Sequence, residues 1–270
     1  MKLNVLIDFS PNSENLLKYV ADFNKSANFP VELIHRNSIH IPGTAESSSR
    51  DEILNSSNAE VKNRIQIKAS QYFNKDNTQV RVSKEPLVNI LNSSLAENPK
   101  QLTFFGLKGI SLFKKLFVGS VAVKLVEKYN GILVGIPKNL NQFKVAHLYV
   151  GVSSKYSINT IEFNRLLDFY QRFITRVTFF TMVKNNDEDK NSLENTLSEL
   201  ANIFSSRVKS DYEIFETSDI SRDVHHLIGD PDNSLLVLQR GSRLLNDQFF
   251  RNMFINELIY QSKLSLAILP

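Results

Sequence analysis

Two stretches decide the reading of this chain: Gly131-Ile132-Leu133-Val134-Gly135-Ile136-Pro137 and Leu264-Ser265-Leu266-Ala267-Ile268-Leu269-Pro270. Each is a short apolar run closed by proline, the pattern of a buried strand with a hard stop. Pro270 repeats Pro137 at an offset of 133 residues. At that offset Leu125 meets Leu258 and Val126 meets Ile259, at helical spacing before each run. The chain therefore reads as an internal duplication.

Working outward, strand and helix signals alternate. In the first half Val5–Ile7, Pro30–Ile34, Gln79–Val82, Leu102–Phe105 and Gly131–Ile136 read as strands. Helical spacing marks Leu16, Leu17, Val20 and Phe23, with Ser13 suited to the N-cap. It also marks Val61, Ile65, Ala69 and Tyr72, then Leu87, Ile90, Leu91 and Leu95, then about Ser120 to Tyr129. The polar stretch Asn37 to Asn58 reads as a loop. After residue 145 the order recurs. Strands are expected at Leu148–Val150, Val177–Phe180, Tyr212–Phe215, Leu235–Leu238 and Leu264–Leu269. Helices are expected at Ile161–Phe173, Leu193–Phe204 and Val224–Ile228, and through Phe254, Leu258 and Ile259. Such alternation predicts parallel sheets covered on both faces, since parallel strands need long crossovers. The expected fold class is α/β: two doubly wound five-stranded sandwiches in tandem, over residues 1–140 and 145–270.

Composition narrows the chemistry. The 270 residues include no cysteine, which excludes disulfides, thiolate zinc sites, iron–sulfur clusters and a Cys nucleophile. Thirty-two basic and 28 acidic residues give a net charge of +4, spread along the chain. That is no nucleic-acid stripe and no polybasic membrane patch. No run approaches the ~20 apolar residues of a membrane span. The apolar start is too short for a secretory signal, so a cytoplasmic location is expected. His35, His40, His147 and the adjacent His225-His226 lack metal-ligand spacing, and no Gly-x-Ser-x-Gly elbow occurs.

Two features could carry chemistry: Asp8, at the carboxyl end of the first strand, and the segment from Gly106 to Ser120. Gly106-Leu107-Lys108-Gly109 follows the fourth strand, and Gly119-Ser120 opens the next helix. Glycines let a backbone approach an anion and allow positive φ. A helix N-terminus offers unpaired N–H groups and partial positive charge. Both features lie where open α/β sheets bind ligands, beyond the strand ends at the switch point. On spacing alone, turn glycines and Asp8 as a cap for the first helix explain the pattern equally well.

The pattern Gly-x2-Gly-x9-Gly-Ser, with Asp8 ending the first strand and Leu-Phe-Val-Gly-Ser-Val-Ala at 116–122, resembles the ATP-binding universal stress proteins. The resemblance covers both halves by order of elements. It implies that Asp8 holds the adenine–ribose part of ATP and that Leu6 packs against the base. It implies that Gly106, with Phe105 before it, and Gly109 cradle the phosphates, with Lys108 between them. Gly119, Ser120 and the Val121 backbone would bind the outer phosphates, with magnesium as companion ion. The run Ile34-His35-Arg36-Asn37 departs from the family, which presents a small apolar residue where Arg36 stands.

In the second half Gln239, Ser242, Asn252 and Met253 replace Gly106, Gly109, Gly119 and Ser120, and Val152-Ser153-Ser154 lacks the Asp. No nucleotide is expected there. The resemblance implies a stress-response sensor or switch, and with no positioned general base in the sequence any ATP hydrolysis is expected to be slow. It also implies last-strand pairing, internally as a pseudo-dimer or between two chains. The alternatives are a nucleotide-free scaffold acting through protein contacts and an enzyme of the wider adenine-nucleotide hydrolase-like group, which shares this sheet.

Overall fold

The computed structural model describes residues 1–39, 47–107, 121–152, 158–183, 190–216, 228–240 and 264–270. Apolar runs form strands wherever the sequence predicts them. The first half runs β1 (Lys2–Leu6), α1 (Pro11–Asn24), β2 (Val31–Arg36), α2 (Ser47–Ala69), β3 (Thr78–Ser83), α3 (Leu87–Glu97), β4 (Gln101–Leu107), α4 (Val121–Lys128) and β5 (Ile132–Pro137). The second runs β6 (His147–Gly151), α5 (Thr160–Tyr170), β7 (Arg176–Val183), α6 (Lys190–Ser205), β8 (Lys209–Glu216), β9 (Ser234–Gln239) and β10 (Ser265–Leu269). The helices expected at 224–228 and through Phe254 fall outside the described residues, apart from Ile228.

The two expected sheets are one. Its order is β3-β2-β1-β4-β5-β10-β9-β6-β7-β8. Within each half every pairing is parallel. The halves meet where β5 and β10 pair antiparallel, Val134 opposite Ala267, with Leu266 opposite Gly135 and Ile268 opposite Leu133. Because Ala267 is the repeat of Val134, a local two-fold axis passes between them. The central strands are buried on both faces, as parallel sheets require. The outer strands β3 and β8 are only half covered.

One expectation is overturned. Residues 47–58, read as loop, form the first half of the 23-residue α2. Most side chains there face solvent, so there was no apolar period to read. Tertiary contacts hold the helix instead. Ile65 and Ala69 are buried. The Asn37 side-chain amide donates to Ser57 Oγ at 3.1 Å and Asn58 Oδ1 at 2.9 Å.

One face of the sheet carries a core that runs through both halves, under α1, α2, α5 and α6. At its centre Phe23 of α1 packs 5.1 Å from Tyr170 and 5.5 Å from Phe173, both contributed by the second half. Phe143, from the connection between β5 and β6, closes the group 5.0 Å from Phe23. The Tyr170 hydroxyl is buried there without a hydrogen-bond partner among the described residues. Burial pushes its pKa well above the usual value. An unpaired buried hydroxyl costs about 1–3 kcal/mol. Tyr170→Phe, which deletes only that oxygen, is therefore expected to leave the melting midpoint unchanged or raise it. A calorimetric loss of more than about 1 kcal/mol would contradict this.

Candidate functional site

The carboxyl end of β1 is shaped by the start of α1. Asp8 is exposed, and its Oδ1 accepts three hydrogen bonds. They come from Ser10 N at 3.0 Å, Ser10 Oγ at 2.6 Å and Ser13 Oγ at 2.6 Å. Asp8 N in turn donates to Ser13 Oγ at 3.1 Å. Ser13 is therefore not the N-cap. Ser10 occupies the cap position, Pro11 opens the helix, and Ser13 is buried in its first turn. The burial pattern of Ser13, Leu16, Leu17, Tyr19 and Val20 matches Phe163, Leu166, Leu167, Phe169 and Tyr170 of the second half. A serine thus sits where the repeat has a core phenylalanine, and its hydroxyl serves Asp8. The signal was a polar residue in an apolar period, read only as a cap.

Between Asp8 and Ser10, Phe9 has φ of +58°. A bulky residue in the left-handed region costs of order 1–3 kcal/mol. Two contacts hold it. The His35 ring meets it edge-on at 4.9 Å, and the Arg64 guanidinium lies 4.7 Å from its ring centre. His35 is itself fixed, Nδ1–H donating to Ile7 O at 2.7 Å. This stack turns the chain so that the Asp8 carboxylate meets the helix start. Arg36, on the next residue of β2, is exposed and makes no polar contact among the described residues.

The end of β4 lies against the same first turn. A Cβ added at Gly106 would meet Asn12 Cβ at 3.7 Å and Asn12 O at 4.0 Å, ordinary contacts. Its φ is not positive, so the backbone does not demand glycine here, contrary to the reading that the turn requires it. What glycine contributes at Gly106 is room above Asn12. Leu6 and Phe105 are buried in the core on the α3 and α4 side of the sheet. They can offer a floor rather than a free side chain. Val121 is the first residue of α4. Lys108, Gly109, Gly119 and Ser120 lie outside the described residues. So the structure brings Asp8 and Gly106 onto adjacent residues of one helical turn, Ser13 and Asn12, and leaves the rest of the loop unplaced.

The second half resolves the same corner differently. Counting along the register of β9 with β6 and of β4 with β1, Gln239 stands where Gly106 stands. Its Oε1 accepts from Asn159 N, the cap residue of α5, at 3.0 Å. Its Nε2 donates to Arg240 O at 3.2 Å and to Pro270 O. In the first half Asp8 receives the cap-residue N–H and Gly106 leaves space. In the second Gln239 receives that N–H and occupies the space. Ser153, Ser242, Asn252 and Met253 fall outside the described residues.

Next to Gln239, Arg240 crosses to the first half. Its guanidinium donates to Tyr129 O and, at 3.0 Å, to Asn130 Oδ1, just past the end of α4. Burial lowers its pKa from the usual value. No carboxylate pairs with it among the described residues. Those residues also contain no cluster of three or more His, Asp or Glu that could hold a metal, and no helix long and apolar enough to cross a membrane.

No protein-family model and no curated protein sequence matches the chain. Solved structures do. A universal stress protein from Archaeoglobus fulgidus DSM 4304 superposes with a TM-score of 0.67 at 17% identity, covering 99% of this chain and 95% of that one. A functionally unknown protein from Pseudomonas aeruginosa PAO1 does so with a TM-score of 0.53 at 10% identity, covering 99% and 92%. At these identities the likeness is one of fold: along nearly its whole length, this chain has the α/β architecture of a solved universal stress protein structure.

Proposed function

We propose that the chain is a tandem universal stress protein of the cytoplasm, binding ATP in its first half and acting as a stress-response sensor or switch. In this reading residues 1–140 and 145–270 are two domains, and the β5–β10 pair is a pseudo-dimer contact made within one chain. The single observation that carries it is the asymmetry of the two corners. Asp8 is fixed by Ser10 and Ser13 beside an open Gly106, whereas Gln239 fills the matching place with its own hydrogen bonds. The donor set suits a nucleotide. A carboxylate oriented by two serines can accept from a ribose hydroxyl, and the room above Asn12 admits a group that a side chain would exclude.

In this reading Leu6 and Phe105 form the floor, and Asp8 orients the adenosine. Gly106, Lys108 and Gly109 meet the phosphates, and Gly119, Ser120 and the Val121 N–H meet the outer ones at the start of α4. Bound magnesium would neutralise phosphate charge. Binding, not turnover, is the assigned role. A switch requires that ATP favour one arrangement through differential contacts. A second reading, a nucleotide-free scaffold, draws on one observation: Asp8 Oδ1 is already engaged at the start of α1 by Ser10 and Ser13.

Thermal melting with Mg-ATP separates the two. A ligand at one hundred times its Kd stabilises by about 2.7 kcal/mol, so the midpoint is expected to rise by several degrees. Gly119→Leu is expected to abolish the rise and Asn252→Leu to leave it. No rise at millimolar Mg-ATP favours the scaffold. A rise lost in Asn252→Leu but kept in Gly119→Leu places the nucleotide in the wrong half. Phosphate or pyrophosphate release over many turnovers would make the protein an enzyme instead.

A further inference from the structure

The nucleotide reading gives Asp8 a task, and a carboxylate needs a fixed direction to perform it. That direction is set by the next residue. At Phe9 a φ of +58° turns the chain between Asp8 and Ser10, so that Ser10 N and Ser10 Oγ both reach Asp8 Oδ1. A phenylalanine does not stay in the left-handed region unaided. Glycine would adopt that φ at no cost. The sequence instead places a ring there, half-buried against the core. The ring is what lets other elements hold the turn.

Two elements do so. From β2, the His35 ring meets Phe9 edge-on at 4.9 Å, while its Nδ1–H is tied to Ile7 O, the carbonyl just before Asp8. From α2, the Arg64 guanidinium lies 4.7 Å from the ring centre. An edge-on ring pair and a cation over a ring are together worth about as much as the strain they oppose. The turn is therefore closely balanced, and loss of either contact loosens it. Arg64 is exposed, but its helix places it. The next residue, Ile65, is buried in the core, and six residues earlier Asn58 accepts from the Asn37 side chain, one residue past β2. How α2 sits on the sheet is thus felt at Asp8 through one cation–ring contact.

We propose that Arg64 is a positioning residue for the nucleotide site of the first half: through Phe9 it aims the Asp8 carboxylate at the ribose, and so makes ligand affinity depend on the seating of α2. This rests on the nucleotide reading above. Only the adenosine end of that site is involved, and Asp8, Phe9, Ser10, His35 and Arg64 all lie within the described residues. The coupling is positive and reciprocal: Arg64 in place raises affinity, and a bound nucleotide steadies the Phe9 turn against α2.

The test uses the full chain. Calorimetric titration with Mg-ATP compares the wild type with Arg64→Met, Arg64→Lys and Lys62→Met, the last removing an exposed charge from the same helix. Arg64→Met is expected to weaken ATP about two- to fivefold, the worth of one exposed cation–ring contact. Arg64→Lys is expected to recover part of the loss, and Lys62→Met to show none. In a Phe9→Gly background the ring is gone and glycine takes the turn freely, so Arg64→Met is expected to cost nothing further. Amide exchange without ligand reads the carboxylate itself. Ser10 N is held by Asp8, and Ser13 N by Ser10 O at 2.9 Å. Arg64→Met is expected to speed exchange at Ser10 by about two- to fivefold and to leave Ser13 unchanged, whereas general fraying of α1 would speed both. The proposal falls, while the nucleotide reading stands, if Arg64→Met binds ATP like the wild type or if Lys62→Met weakens ATP equally. It also falls if the loss persists in Phe9→Gly, or if Ser10 and Ser13 speed together. If the wild type binds no ATP, the nucleotide reading falls and takes the proposal with it.

Discussion

Phe23→Ala is expected to destabilise the whole chain by about 3–5 kcal/mol, the range for truncating a fully buried phenylalanine. The ring has no exposure and touches four other aromatic rings: Phe104, Phe143, Tyr170 and Phe173. Such contacts add about 0.5–1.5 kcal/mol per pair beyond area burial. The group is too interlocked to collapse into the gap. Phe104 lies on β4, Phe143 in the connection, and Tyr170 and Phe173 at the end of α5. The cavity therefore opens between the halves, not inside one. Both halves should lose stability together, seen as one shifted transition in guanidinium by far-ultraviolet and tyrosine circular dichroism. A loss below about 1 kcal/mol would show that the cluster is not the bond between them. So would a two-step curve in which one half keeps the wild-type midpoint.

Cross-half packing of this kind is the least legible part of the sequence. Phe23 and Phe173 each fall on an apolar helical face, so burial was readable. That they bury against each other was not, because nothing local fixes how two sheets meet. The strands were legible for the opposite reason. Runs such as Leu102–Phe105 and Leu235–Leu238 are buried on both faces, and a continuous apolar run bounded by polar residues has few other uses. The repeated ending at Pro137 and Pro270 marked the two last strands, but that they pair with each other came only from the family resemblance, not from the residues themselves. The stretch 47–58 failed because its helix is held by Asn37 and by residues further along, while its own side chains face water. Local pattern carries no trace of an anchor 20 residues away.

The candidate site divides in the same way. Asp8 and Gly106 stood out because a carboxylate and a glycine directly after strands are informative types in informative places. Ser13 was seen and assigned the wrong role. Cap and carboxylate partner call for the same residue type, and only the fold shows that the cap lies three residues earlier, at Ser10, with Pro11 opening the helix. Gln239 was read as the loss of a glycine. The structure makes it a replacement, since it takes over the cap-residue N–H that Asp8 receives in the first half. Arg240 had no signal at all, because its acceptors lie more than a hundred residues away in the other half.

Val134→Asp and Ala267→Asp are each expected to unfold the chain under conditions where the wild type is folded, and to do so to a similar degree. Both side chains are completely buried and sit opposite one another on the axis that relates the halves. A carboxylate placed there enters the buried core that runs through both halves. An unpaired buried charge costs more than about 4–5 kcal/mol, against total stabilities of roughly 5–15 kcal/mol. The near equality follows from the local two-fold axis. Each residue has the other as its antiparallel partner, and the strands beyond them, β4 and β9, are themselves equivalent. The flanking positions break that symmetry. Gly135 has no side chain, and a Cβ there would strike Leu107 at 2.8 Å, whereas its counterpart Ile268 fills the space itself. Ile203→Asp, at an exposed site on α6, serves as the control and is expected to change stability by less than about 0.5 kcal/mol. Denaturant midpoints for the three variants decide the matter. If Val134→Asp unfolded only the first half and Ala267→Asp only the second, the β5–β10 pair would be a contact between independent units. If both collapse the chain in one step, the pair is the centre of a single cooperative sheet.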